Sequence, residues 1–185
     1  GSKVSSENDI TSIAVPLINK LAKETGESIN LGILYNSEVV TVYNTKGEDF
    51  YLISNLIPVS PLNCSAMGKL FLSKFSDKDL KEYFESNEPE KRTVNSISDL
   101  SGFLKLKEEI ERDGISYDKE EYEYGLSCIA APIYDTNKNI IAAISISGPT
   151  TRLNYKGREN LQNLLISTAK EISKIYSNMF LHSFL

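Results

Sequence analysis

The 185-residue sequence predicts one α+β domain, an antiparallel sheet of about six strands with helices packed around it. Three observations carry that reading. Strand-like segments fall in two clusters on either side of a helical block, instead of alternating with helices as a parallel sheet requires. The first two are separated only by Asn36-Ser37-Glu38, a hairpin-sized turn. The chain also opens and closes on long segments whose apolar residues recur every three or four positions, as in helices laid on one face of a sheet.

Ile10, Ile13, Ala14, Leu17, Ile18 and Leu21 share one helical face between Asn8 and Thr25. Asn8 or Asp9 can cap its start and Gly26 suits its end, while Pro16 inside it predicts a kink or a late start. Ile29 to Tyr35 and Val39 to Tyr43 read as strands, and Phe50 to Ile53 as a third after a Lys46-Gly47-Glu48 turn. Pro58 and Pro61 then break the chain. Asn63 to Phe75 predicts a helix that begins on small or polar residues, and a short helix follows Ser76. Glu85 to Ser96 is polar, carries Pro89 and reads as loop. Ser98 is placed to cap a further helix, with Leu100, Phe103, Leu104 and Ile110 inward and Gly114 as its stop. Ile115 to Tyr117 and Ser127 to Tyr134 read as strands, with a turn over Asp135 to Asn139. Ile140 to Ser147 is apolar on both faces along much of its length, which places it centrally, and Gly148-Pro149 ends it. The last helix, about Gly157 to Phe180, carries an apolar stripe from Leu161 to Met179, and both terminal helices are expected on one face of the sheet.

Hydrophobic residues at 41% and charged residues at 24% are ordinary for a globular domain. No apolar run approaches the roughly 18–20 residues that span a bilayer, and nothing at the start reads as a signal peptide. The net charge of −5, without a cluster of Lys and Arg, makes this segment a poor partner for nucleic-acid phosphates. Two cysteines, Cys64 and Cys128, form no disulfide framework, and with a single histidine no zinc motif appears. A reduced, cytoplasmic setting is expected. Gly1-Ser2 reads as the scar of a protease cut on a recombinant chain. Residues 1–3 are therefore expected to be a tail, and residues 4–185 a single domain of a longer protein.

Catalysis finds little support. Ser145, Ser147, Cys64 and Cys128 are possible nucleophiles, but each needs a base, and the one histidine, His182, lies near the C-terminus. Glu120, Glu121 and Glu123 read as a solvated charged loop, whereas Asp118 follows a β run and can turn inward. Gly68-Lys69 lacks the upstream glycine of a phosphate loop. Binding features remain. Ser65, Ala66 and Met67 open a helix, where free backbone N–H groups attract anions. Ser145 and Ser147 share one face of a strand, and if buried their hydroxyls need partners: each other, the backbone or a ligand. Cys128 should face the same way as Leu126 and Ala130, as a small core residue or a pocket-lining thiol.

Four segments stand out as motifs: SAMGKLFLS (Ser65–Ser73), GISYDKEEYEYGLSCIAAPIYD (Gly114–Asp135), AAISISGPTTRL (Ala142–Leu153) and LINKLAKETGESINLGIL (Leu17–Leu34). By these the sequence resembles the C-terminal effector-binding domain of IclR-type bacterial transcriptional regulators. The resemblance implies a GAF-like fold, with a curved sheet and a pocket for a small organic effector over one face. It also implies dimers or tetramers, with DNA read only by an N-terminal winged helix-turn-helix domain absent from this chain. By the same resemblance the effector contacts are Ala66, Met67, Asp118, Leu126, Cys128, Ser145 and Ser147, to which the reading of the helix start adds Ser65. The sequence departs from the family pattern at Asn63, where many members have His, and at Met67, where they have a smaller residue that leaves the pocket more open. Tyr122 and Tyr124 add bulk near the acidic loop.

The reading is thus a ligand-sensing regulatory domain, not an enzyme, with no cofactor, no metal and no membrane partner. Its effector is a carboxylate or other polar metabolite. An oligomerisation scaffold with a closed pocket, a small cysteine or serine hydrolase, and a metal sensor using Cys128 and Asp118 are the alternatives.

Overall fold

The computed structural model describes residues 2–47, 58–86 and 89–182. The elements run α1 (Ser2–Thr25), β1 (Ser28–Tyr35), β2 (Glu38–Thr45), β3 (Val59–Pro61), α2 (Ala66–Leu72), α3 (Asp77–Ser86) and α4 (Leu100–Asp113). They continue with β4 (Ser116–Lys119), β5 (Leu126–Tyr134), β6 (Ile140–Pro149), α5 (Thr150–Lys156) and α6 (Arg158–His182). Among the described residues the strands form one six-stranded antiparallel sheet in the order β3-β2-β1-β6-β5-β4. The α+β class and the central place of β6 are as the sequence predicts.

The two faces of the sheet carry residues of different size, because side chains alternate along each strand. Ile29, Leu31 and Ile33 of β1, Ile129 and Ile133 of β5, and Ile144 and Ile146 of β6 face one side. There they meet Ile10, Ala14, Ile18 and Leu21 of α1 and Leu161, Leu165 and Ile172 of α6 in one buried core. Each such side chain taken from water stabilises by about 1.5–3 kcal/mol. The intervening positions are small or polar: Asn30, Gly32, Cys128, Ala130, Ala143, Ser145 and Ser147. This side meets α2 and α4 through a second core that includes Leu70, Phe71 and Phe103. The short side chains leave room between sheet and helix.

Several elements differ from expectation for identifiable reasons. The first helix begins at Ser2 and runs unbroken through Pro16. Pro16 and Ser12 are both exposed, so water can take the Ser12 carbonyl that the proline leaves without a donor. The strand expected over Phe50 to Ile53 lies outside the described residues. Among the described residues the third strand is Val59–Pro61, which follows Pro58 and ends on Pro61, the two prolines that read as breakers; an edge strand tolerates proline, and here Pro61 pairs with Glu38. The second helix is shorter than predicted. The fourth is capped by Asp99, not Ser98: Asp99 Oδ1 accepts the Gly102 N–H at 2.7 Å, and Leu104, expected inward, is exposed. The sequence reading missed α5, because its seven residues bury only Leu153 and show no period.

Candidate functional site

The cap of α2 organises one wall. Ser65 Oγ accepts the Gly68 N–H at 3.0 Å and donates to the Pro61 carbonyl at 2.6 Å. Its hydroxyl is thus engaged in both senses. The first-turn amides of Ala66 and Met67 have no intrahelical acceptor, as in every helix start. Gly68 is required by packing: a Cβ there would lie 2.5 Å from Leu62 Cα. Lys69 points to neither phosphate nor solvent. It is 2% exposed, and its ammonium donates to both Glu121 carboxylate oxygens at 2.7 Å and to the Tyr117 carbonyl.

That ion pair corrects the reading of the acidic loop. Glu121 is buried, its carboxylate also taking the Lys119 N–H at 3.1 Å, while Glu123 stays exposed. The polar segment before α4 secures the loop further. Thr93 Oγ1 donates to the Glu120 carbonyl at 2.6 Å, Ser96 Oγ to the Glu121 carbonyl at 2.5 Å, and Arg92 Nε to the Tyr122 carbonyl at 3.0 Å. The Arg92 guanidinium also lies 3.9 Å over the Tyr122 ring. Asn63 is a staple for this segment: its amide donates to the carbonyls of Glu90 at 2.8 Å and Ile97 at 2.7 Å, and its oxygen accepts from Tyr83.

A cavity of about 70 Å³ lies between α2, this loop and the small-residue face of the sheet. At roughly 10–15 Å³ per water it has room for about five to seven. All eight residues expected at the site line it: Ser65, Ala66 and Met67 from the α2 start, Asp118 from β4, Leu126 and Cys128 from β5, and Ser145 and Ser147 from β6. Asn30, Thr41, Ser60 and Tyr122 complete the lining. Sequence reasoning missed Asn30, although its place in β1 opposite Ser145 follows from strand alternation once the register is known. Tyr122 reaches the cavity, whereas Tyr124 turns outward and its hydroxyl accepts the Val94 N–H at 3.0 Å.

Among the described residues the hydroxyls of Ser145 and Ser147 bond neither to each other nor to the backbone. Asn30 Nδ2 donates to Ser145 Oγ at 3.2 Å and to Ser147 Oγ at 3.1 Å, and Cys128 Sγ lies 3.2 Å from Ser147 Oγ. Burial pushes the Cys128 thiol well above its ordinary range, and the nearby Asp118 charge adds to this. Cys64 is fully buried outside the cavity, where desolvation raises it to about 12. Asp118 Oδ1 accepts the Glu121 N–H at 2.7 Å. Burial still pushes its carboxyl up to about 7, outweighing that bond and the Lys69 charge. The described residues contain no cluster of three or more His, Cys, Asp or Glu that could hold a metal, and no helix of theirs is long and apolar enough to cross a membrane.

A family model described as the C-terminal part of the bacterial transcriptional regulator IclR matches residues 2–174. The chain is 34% identical over 177 residues to the DNA-binding transcriptional repressor YiaJ of Escherichia coli (strain K12), covering 94% of this chain and 63% of that protein. It is 31% identical over 176 residues to the HTH-type transcriptional repressor AllR of Salmonella paratyphi A (strain ATCC 9150 / SARB42), covering 94% and 64%. It therefore spans less than two thirds of the length of these curated relatives. A crystal structure of transcriptional regulator YaiJ superposes with a TM-score of 0.87 at 33% identity, covering 91% of this chain and 96% of that one.

Proposed function

Because this chain belongs to the IclR family of bacterial transcriptional regulators, as their C-terminal domain, we propose that it senses a small organic effector in the cavity under α2. It would pass the signal to a DNA-binding domain outside the chain. The observation that carries the reading is convergence: residues from α2, β4, β5 and β6, far apart in sequence, meet at one small, largely apolar cavity with a few polar groups turned into it. The effector class is a small acid or other polar metabolite, held by the Ser145 and Ser147 hydroxyls and the first-turn amides of Ala66 and Met67. Asp118 either donates a proton to the ligand or accepts from a hydroxyl or amine on it. The chain binds rather than catalyses. Burial disfavours the Cys128 thiolate, and the group bonded to both serine hydroxyls is an amide, which is no base. Assembly of the full-length protein as a homo-oligomer belongs to the same proposal.

Coupling follows a continuous path. β6 carries Ser147, then Gly148, then leads directly into α5. Arg152 of α5 clamps the fully buried Glu27 through both carboxylate oxygens, at 2.8 and 2.5 Å, and Lys156 joins at 2.8 Å. Glu27 follows the end of α1, and Lys156 also donates to the Thr25 carbonyl at 2.8 Å. A ligand that draws β6 towards α2 therefore pulls on the C-terminal end of α1.

The test is a thermal-shift screen with small carboxylates, hydroxy acids, sugar acids and aromatic acids. Ligand at about 100 times its Kd stabilises by roughly 2.7 kcal/mol, a midpoint rise of about 5–10 °C for a domain of this size. The double variant Ser145→Ala/Ser147→Ala is expected to fold and to lose the shift. Unchanged affinity in that variant removes the assigned site, and a broad library without a hit favours the closed-pocket scaffold.

A further inference from the structure

We propose that Asn44, which does not line the cavity, decides the hydrogen-bonding sense of the effector site by fixing which way the Asn30 amide faces. The inference rests on that cavity being the effector site. Asn44 Nδ2 donates to Asn30 Oδ1 at 2.6 Å and lies 3.5 Å from the Ile29 carbonyl oxygen. The second contact is long, yet it sets the direction, because a reversed Asn44 amide would place two carbonyl oxygens against each other. With Asn44 offering its NH2 group, Asn30 must turn its oxygen to Asn44 and its own NH2 group to the serines. Its two N–H bonds then reach Ser145 Oγ and Ser147 Oγ, one each. One lone pair on each serine oxygen is thereby taken, and both hydroxyl hydrogens remain to be donated. Among the described residues the one further hydrogen-bonding neighbour of either hydroxyl is Cys128 sulfur, a weak acceptor that competes poorly with a ligand oxygen.

The cavity therefore presents a pair of donors from β6. It favours a ligand group that accepts twice, such as a carboxylate or another oxygen with two exposed lone pairs. It disfavours a group that only donates. Neither Asn30 nor Asn44 need touch the ligand to impose this. They act as positioning residues, through the orientation of two amides on adjacent strands paired in register.

Asn44→Asp reverses the chain of bonds. A carboxylate at position 44 only accepts, so Asn30 turns its NH2 group to it and its oxygen to the serines. The hydroxyls then donate to Asn30 and show lone pairs to the cavity. Two neutral five-membered rings separate this effect from the added charge: tetrahydrofuran, which only accepts, and pyrrole, whose N–H donates. Their dissociation constants are measured by NMR chemical-shift titration against the original chain, Asn44→Asp and Asn44→Ala. The original chain is expected to favour tetrahydrofuran. Asn44→Asp is expected to swing the ratio of the two constants at least tenfold towards pyrrole, and Asn44→Ala, which frees Asn30 to take either sense, to fall between. If the original chain binds in the cavity but both variants keep its ratio, the relay is overturned and the effector site stands. If neither ring perturbs any cavity residue of the original chain, both the site and the relay fall.

Discussion

Asp118 shows how burial, more than partnership, sets the behaviour of a single residue. It accepts a backbone N–H and is 2% exposed, and desolvation raises its carboxyl to about 7. The folded chain thus holds the proton more tightly than the unfolded chain, where the value is near 3.8. Asp118 contributes stability that is present below about pH 4 and is lost as pH rises to about 7. A tenfold change in proton affinity is worth about 1.4 kcal/mol. Asp118→Asn is accordingly expected to be more stable than the parent above pH 7, by on the order of 4 kcal/mol, and the gap should close towards pH 4. Urea midpoints across that range check it. Carboxylate binding by the parent should weaken above about pH 7, where two negative charges would share the cavity, and Asp118→Asn should bind without that dependence. A flat parent profile would mean that Asp118 does not face the ligand.

At the scale of elements, β1 and α2 are matched through Gly32 and Met67. A Cβ on Gly32 would lie 2.9 Å from Met67 Sδ and 2.8 Å from Val39 Cγ1. The glycine is what lets a long side chain occupy a position where the resemblance predicts a smaller one. Gly32→Ala should therefore destabilise by about 1–3 kcal/mol through overpacking. Met67→Ala alone costs about 2–5 kcal/mol as a cavity, and in the double variant part of the Gly32→Ala cost should be recovered. Chemical denaturation of the four chains gives the coupling energy; additive losses would mean that Val39, not Met67, takes the clash. Met67→Ala should also admit larger acids in the thermal-shift screen. The same scale accounts for the elements that sequence reading missed. Seven residues of α5 are too few to show a period, and β3 pairs between two prolines because it sits at the edge.

Over the whole molecule the sheet separates two tasks. One face is bound to α1 and α6 by a continuous aliphatic core; the other meets α2, α4 and the cavity. The Glu27–Arg152–Lys156 cluster ties these together at the end of β6, with Gly148 so close that a Cβ would lie 2.8 Å from Glu27 Oε1. A ligand found in the screen should slow amide exchange in β6, α5 and the C-terminal end of α1. Glu27→Gln weakens the clamp and should confine the slowing to β6 and the cavity walls. Equal protection of α1 in both chains would show that the signal takes another route.

Local periodicity and short, specific segments were enough for the class of the fold, the face shared by Ser145 and Ser147, and eight of the residues that line the cavity. Which polar groups meet was legible only once the strands and helices were packed. Asn30 and Asn44 are one-residue interruptions of strand patterns, Glu121 sits in a run of acids that reads as solvated, and Glu27 and Arg152 are separated by most of the chain. Their roles depend on distances set by strand register and helix packing, and a buried charge or amide is defined by the partner that folding brings to it.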